Sequence, residues 1–286
     1  MTIIFGLLSA FSYGYADFVG ALAAKKARAI AVTSISLTIG LVIALLLSTW
    51  VGADFSPEAI NAGIYAGVAS GIALACLYAA LALGPISIVS PLTAVVSAVI
   101  PVVIDMLAGQ PLGPFALVAI GVVLVAIVLV AFVPGDDVRL PSLKAFLYSL
   151  GAGFGFAGIF VFLDSAPSDS GLATLIVMRV VGIIMMFGLL LFAWLRNRKE
   201  PFIERQIFSR SLIWLIALAG LGDVTGNVFF LIATREGAMA IAAVLTSLYP
   251  VGTILLARIV LKERIAASQT IGIVLAIGAC ALLAVG

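Results

Sequence analysis

GPISIVSPLTAVVSAVIPVVIDMLAGQPL at residues 84–112 and GAMAIAAVLTSLYPVGTILLARIVLKERI at residues 237–265 align without a gap at an offset of 153, the difference 237 − 84. Gly84 falls on Gly237, Leu92 on Leu245 and Thr93 on Thr246, and the register reaches back to Ala66/Ala219, Gly67/Gly220 and Ala80/Ala233. An offset of 141 (146 − 5) lays the first apolar span on the sixth, pairing Phe5 with Phe146, Gly14 with Gly155 and Ala16 with Ala157. Apolar helices match by chance more easily than soluble ones, so the weight rests on the same order of spans recurring in both halves. Internal repeats of this kind are a ground plan of secondary transporters, which hold the solute between the repeats.

Composition names the solvent. Apolar residues make up 64% of the 286 and charged residues 10%, against about 45–50% and 25% in soluble domains. Nearly all of the length is consumed by runs of about 20 apolar residues, each enough to cross a hydrocarbon core. Ten such runs are expected, at roughly 2–24, 29–52, 58–83, 86–108, 113–133, 143–164, 171–195, 210–234, 237–261 and 266–286. Alternating barrel strands would not give such unbroken apolar runs, which leaves helices. The expected fold is an all-α integral membrane protein of ten transmembrane helices in two inverted five-helix repeats, residues 1–135 and 141–286. The N-terminus does not read as a signal peptide, since it lacks a basic segment and Asp17 interrupts the apolar run.

The loops set the orientation. Lys25, Lys26 and Arg28 lie between spans one and two, and Arg139 and Lys144 between five and six. Arg196, Arg198, Lys199, Arg205 and Arg210 lie between seven and eight, and Lys262 and Arg264 between nine and ten. All four loops fall on one side of a ten-span plan, while the other side has only Arg235. The positive-inside rule makes the basic side cytoplasmic and puts both termini on the non-cytoplasmic side of the cytoplasmic membrane. Five spans per half is an odd number, so the second half enters from the opposite side. Trp50, Trp194 and Trp214 sit at span ends, as interfacial anchors do. The net charge of +2 and the absence of long basic runs give no sign of a nucleic-acid partner.

Three features mark close packing or interruption. Gly63, Gly67 and Gly71 repeat every four residues on span three, as do Gly151/Gly155 on six and Gly222/Gly226 on eight, and such faces let backbones approach. Pro91 and Pro101 in span four and Pro250 in span nine each remove a backbone donor. Spans four and nine are repeat partners, so a paired interruption there would look like the broken helices of transporters, but Pro250 falls on Ser97 at the 153 offset and the bends need not be symmetric.

Residues 247–265, S-L-Y-P-V-G-T-I-L-L-A-R-I-V-L-K-E-R-I, resemble the C-terminal signature of EamA-type proteins in the drug/metabolite transporter superfamily. That pattern ends in a Glu-Arg loop, here Glu263-Arg264, and Arg179 resembles the arginine at that point of the family's repeat. The first half departs from it, with Gly109-Gln110-Pro111-Leu112 in place of Glu-Arg and Thr38 where Arg179 maps. The resemblance implies alternating-access export or exchange of a small metabolite, around a cavity walled by spans one, three, four, six, eight and nine. It names no solute, because members of the family carry amino acids, nucleotide sugars, drugs and other compounds.

Ionisable groups inside the spans mark the expected binding site, because a lone charge at the bilayer centre costs about 2.5–3.5 kcal/mol and therefore faces protein or water. Asp223 lies about 18 Å and Arg179 about 24 Å from the cytoplasmic ends of consecutive spans, which allows an ion pair. Such a pair would serve either packing or the solute, with Arg179 facing an anionic group and Asp223 a cation or a proton. Asn227 shares the face of Asp223. Asp17 shares a face with Tyr13 and Ser9 but lies only about 9 Å from a span end, where it could simply snorkel. Tyr13 and Tyr15 stand opposite Phe154 and Phe156 at the 141 offset and would wall a cavity or meet lipid. Thr93, Thr246, Tyr249 and Ser90 offer hydroxyls at the repeat interface, and Asp105 and Arg258 align near opposite membrane faces, where interfacial solvation is expected over gating contacts. The expected partners are a small solute, the lipid bilayer and either protons or a counter-solute. No cofactor or metal is expected, since the chain has no histidine and Cys76 and Cys280 are far apart.

Two other classes compete. Gly220-Leu221-Gly222-Asp223 spells the GxGD string of intramembrane aspartyl proteases, with Asp17 as a nominal second acid. That string is a cheap match in a chain with 28 glycines. A non-transporting membrane scaffold or sensor is the other, and it predicts no stabilisation by a solute.

Overall fold

The computed structural model describes residues 1–83, 86–109, 112–131, 142–198, 201–203, 205–262 and 266–285. Gly84, Gln110-Pro111, Lys199, Glu263-Arg264 and the 134–141 junction of the expected halves lie outside the described residues, as do the side chains of Ser90 and Pro91.

The described chain is helical from end to end. Its helices are α1 (Thr2–Ala24), α2 (Ala29–Val51), α3 (Pro57–Leu83), α4 (Ile86–Leu107), α5 (Pro114–Ala131), α6 (Leu143–Asp164), α7 (Ala173–Arg196), α8 (Arg210–Arg235), α9 (Met239–Thr246), α10 (Tyr249–Val260) and α11 (Ala267–Val285). Seven helical stretches are long and apolar enough to cross a membrane, and shorter apolar helices cover Leu92–Leu107, Pro114–Val130 and Ala267–Leu283. Large apolar side chains on the outside, among them Trp50, Phe115, Ile184 and Trp214, are what a lipid-facing surface requires.

The expected single span at 237–261 is two helices, α9 and α10, interrupted at Ser247-Leu248. Pro250 is the cause, because it has no N–H to give the Thr246 carbonyl, and its ring starts a new helix at the first turn of α10. The turn closes with tighter bonds instead, Leu248 N–H to Leu245 O (3.1 Å) and Val251 N–H to Leu248 O (2.9 Å). The partner span is different. α4 runs unbroken through Pro91 and Pro101, so of the two repeat partners the second alone is interrupted.

Small residues decide which helices meet. α3 packs on α6 and α7, and α8 packs on α1 and α2. Ala69 and Ala73 of α3 face Gly158 and Gly155 of α6, while Gly222 and Gly226, 153 residues later, face α1 at Tyr15 and Tyr13. Gly67 is pressed against Val181 and the Met178 carbonyl of α7, and Gly220, again 153 residues later, against the Ser36 carbonyl of α2. The glycine stripe on α3 is therefore a packing face toward α7. α1 also packs on α9 and α10, α4 on α6 and α9, and α5 on α11.

Asp105 is a correction to the expectation of a solvated interfacial carboxylate. It is only 4% exposed, and its Oδ2 accepts a 2.7 Å hydrogen bond from the Ala240 N–H. The carboxylate of α4 thus caps the first turn of α9, whose own flanking residue Ala238 cannot. Asp105→Ala should destabilise the protein by about 1 kcal/mol. Hydrogen exchange should then speed up across Met239–Thr246 before it does elsewhere.

Candidate functional site

The centre of the bundle holds one charged pair among the described residues, between consecutive helices α7 and α8. Arg179 donates from Nη1 to Asp223 Oδ2. Asp223 lies 12 residues from Arg235 and 13 from Arg210, in the middle of α8, so about 18–20 Å of helix separates it from either end. Arg179 is 1% exposed and Asp223 33% exposed. The guanidinium thus sits behind the carboxylate, and the carboxylate presents the open face. Two of its nitrogens, Nε and Nη2, have no hydrogen-bond partner.

The sequence spacing placed Asn227 correctly on the face of Asp223. Its Nδ2 donates to the Asp223 backbone carbonyl at 2.8 Å, the i−4 position, so it braces α8 where the pair sits. Ser9 Oγ of α1 donates to the Gly226 carbonyl at 2.8 Å, which fixes α1 against the same turn. The Tyr13 ring lies on Gly226 and the Tyr15 ring on Gly222, one on each side of Asp223 along α8.

Asp17 differs most from its expected place. Its carboxylate is exposed and was expected to snorkel toward the near end of α1. Instead it interacts electrostatically with Asp223, in surroundings as crowded as those of a buried group. Tyr13 feels the charges of Asp223, Arg179 and Asp17 together. Asp17 therefore lies within electrostatic reach of the pair, beside the contact of α1 with α8. Helix rotation, set by the small residues of α8 against α1, turns Asp17 inward, and distance from a helix end does not report it.

The other expected residues divide. Thr246 ends α9 at the break, fully buried, with its Oγ1 unpartnered. Tyr249 begins α10, and its carbonyl stands against Gly14, one residue from Tyr13. Thr253 Oγ1 donates to the Gly14 carbonyl at 3.2 Å, so the break is held against the same turn of α1. Thr93 is 1% exposed and donates to the Ser149 carbonyl at 3.3 Å, which joins α4 to α6. Phe154 is 61% exposed, and the half-buried Phe156 packs into the apolar core of α2, α3, α6, α7 and α8.

Gly40 of α2 went unnoticed in the sequence. A Cβ there would lie 3.2 Å from Arg179 Nη1, so its missing side chain makes room for the guanidinium. The signal was present, as Gly40 is the lone glycine between Ala29 and Val51.

An interior Arg–Asp pair, a helix broken beside it and an apolar exterior together define a multi-pass membrane protein with a polar centre. The profile of the EamA-like transporter family matches the chain twice, over residues 1–132 and 143–285. The chain belongs to the EamA-like transporter family and is a membrane transporter of the drug/metabolite type. One solved structure, described as "Crystal structure of protein", superposes with a TM-score of 0.79 at 14% identity, over 99% of this chain and 96% of its own. Identity that low speaks for the fold alone. No curated protein matches the chain.

Proposed function

We propose that the protein is a secondary transporter that exports a small metabolite across the cytoplasmic membrane by alternating access, driven by protons or by exchange. In this reading two inverted five-helix repeats, 1–135 and 141–286, rock around Arg179 and Asp223. Ten spans place both termini on the non-cytoplasmic side. The observation that carries the proposal is the mid-membrane Arg179–Asp223 pair, whose helix α8 packs on the part of α1 that also holds the start of α10. A charge pair so placed is costly for packing alone, because removing two charges from water is repaid only by good geometry. Two matches of one family profile support two repeats. So does the correspondence of α3 against α6 and α7 with α8 against α1 and α2 at an offset of 153.

The protease reading has the geometry against it. Aspartyl chemistry needs two carboxylates sharing a proton, whereas Asp223 gives its Oδ2 to a guanidinium. To test transport against scaffolding, purified protein is screened by thermal unfolding against amino acids, nucleosides, nucleotide sugars and organic cations. At 100 times its dissociation constant a true ligand stabilises by about 2.7 kcal/mol. A stabilising solute should then accumulate in reconstituted vesicles and be lost with Asp223→Asn. Stabilisation without flux would overturn transport, and no stabilising solute would leave the scaffold reading.

A further inference from the structure

The charges at the centre do not balance. With both carboxylates ionised, Asp17, Asp223 and Arg179 sum to −1, and all three lie within electrostatic reach of Tyr13. Their accessibility is also unequal, since Arg179 is sealed behind Asp223 while both carboxylates are open. A solute that reaches this cluster therefore meets negative charge first. Tyr13 and Tyr15, both half-buried and on either side of Asp223, add ring faces that attract cations. An anion would have to displace Asp223 from Arg179 and then lie beside Asp17. A zwitterion would leave the excess charge uncompensated in a low-dielectric space, where isolated charge is most costly. A single positive charge closes the sum.

A second observation concerns hydrogen bonding. Arg179 Nε and Nη2 are buried without an acceptor, and unpaired buried donors of a charged group are rare because they cost at least about 1–3 kcal/mol. The described residues thus leave two of the three guanidinium nitrogens without an acceptor, and one oxygen placed between Nε and Nη2 could accept from both. Resting on the transporter reading above, we propose that the solute is a monovalent organic amine that also carries a neutral oxygen, a hydroxyl or a carbonyl. The ammonium lies between Asp17 and Asp223, and the oxygen approaches Arg179 as Asp223 turns toward the ammonium.

Four probes of one shape separate the classes: phenylalaninol (cation with hydroxyl), 2-phenylethylamine (cation), phenylalanine (zwitterion) and phenyllactate (anion). Full-length protein is measured for thermal stabilisation, and its proteoliposomes, loaded with the same unlabelled solute or with an imposed proton gradient, for uptake of labelled solute. Phenylalaninol should bind best, about tenfold tighter than 2-phenylethylamine, and phenyllactate should bind least. Asp17→Asn leaves Arg179 its partner and should still fold. It brings the charge sum to zero, so the preference should move from phenylalaninol to phenylalanine. Tightest binding by phenyllactate or phenylalanine to the unmodified protein would overturn the cation assignment, and so would a lack of binding by all four at millimolar concentration. Equal binding of the two cations would overturn the role given to Arg179. If phenylalaninol binds as expected but is not taken up, the solute class stands and the transporter reading fails.

Discussion

Asp223→Ala should cost the protein about 3 kcal/mol of stability, the lower end of the range for breaking a buried ion pair, because Asp223 itself is partly open to water. The substitution leaves the Arg179 guanidinium, 1% exposed, with no counter-charge and three unsatisfied nitrogens. Arg179→Met should cost less, since the remaining carboxylate can be hydrated or take up a proton. The double change Arg179→Met with Asp223→Leu should recover most of the stability of the native protein, because an apolar pair of similar volume removes both desolvation penalties. Thermal unfolding of the four proteins in one detergent gives the coupling energy directly. Flux separates structure from function: the double variant should fold and carry no solute. If it transports at the native rate, the pair is a packing device and the binding site lies elsewhere.

Gly14→Val should be the second large effect. A Cβ at Gly14 would stand 2.6 Å from the Tyr249 carbonyl, 2.8 Å from the Thr253 N–H nitrogen and 2.9 Å from the Gly252 Cα. All three are backbone atoms, so no side chain can turn aside. α1 must move off the start of α10, at a cost of about 1–3 kcal/mol, and the bond from Thr253 Oγ1 to the Gly14 carbonyl lengthens or breaks. Transport should fall further than stability does, because this contact sets the distance between Tyr13 and the broken helix. Gly188→Ala in α7 is the comparison. Nothing lies within 4 Å of that position, and alanine in a helix interior is expected to add about 0.5–1 kcal/mol. If Gly14→Val behaves like Gly188→Ala in thermal unfolding, the close approach of α1 and α10 is not what the structure describes.

Much of this was legible before any coordinates. The solvent follows from composition, the helices from run length, and the Arg179–Asp223 pair from two charges at similar depth on consecutive spans. Pro250 announced the break at Ser247-Leu248 because a missing N–H leaves the Thr246 carbonyl without its helical partner. Depth, however, is only one coordinate of a helical residue. Rotation about the axis is set by which neighbours can approach, and that depends on small residues on both helices. For this reason Asp17 was read as snorkelling while Gly222 and Gly226 turn its face of α1 toward Asp223. Rotation also separates Phe154 from Phe156, two neighbours on one span of which one is exposed and one packs inward. Asp105 was read as solvated because its role, capping a helix more than a hundred residues away, exists only once α4 and α9 meet. Pro91 and Pro101 show the converse limit, since a helix whose neighbours hold it can run through proline unbroken.

The central claim is that the two ends of the bundle open alternately around the charged cluster. One end carries Leu107, close to the α9 cap, and Glu236; the other carries Ala24 and Val260, beyond the packing of Phe18, Val19 and Leu22 on Leu256 and Ala257. All four positions are exposed and lie outside the cluster, so each pair accepts spin labels. Distances across Leu107/Glu236 and Ala24/Val260 are measured by pulsed electron paramagnetic resonance in nanodiscs, with and without a stabilising solute. The account predicts two populations at each end, with the solute lengthening one distance as it shortens the other. A single unchanged distance at both ends, in protein that binds the solute, would contradict it.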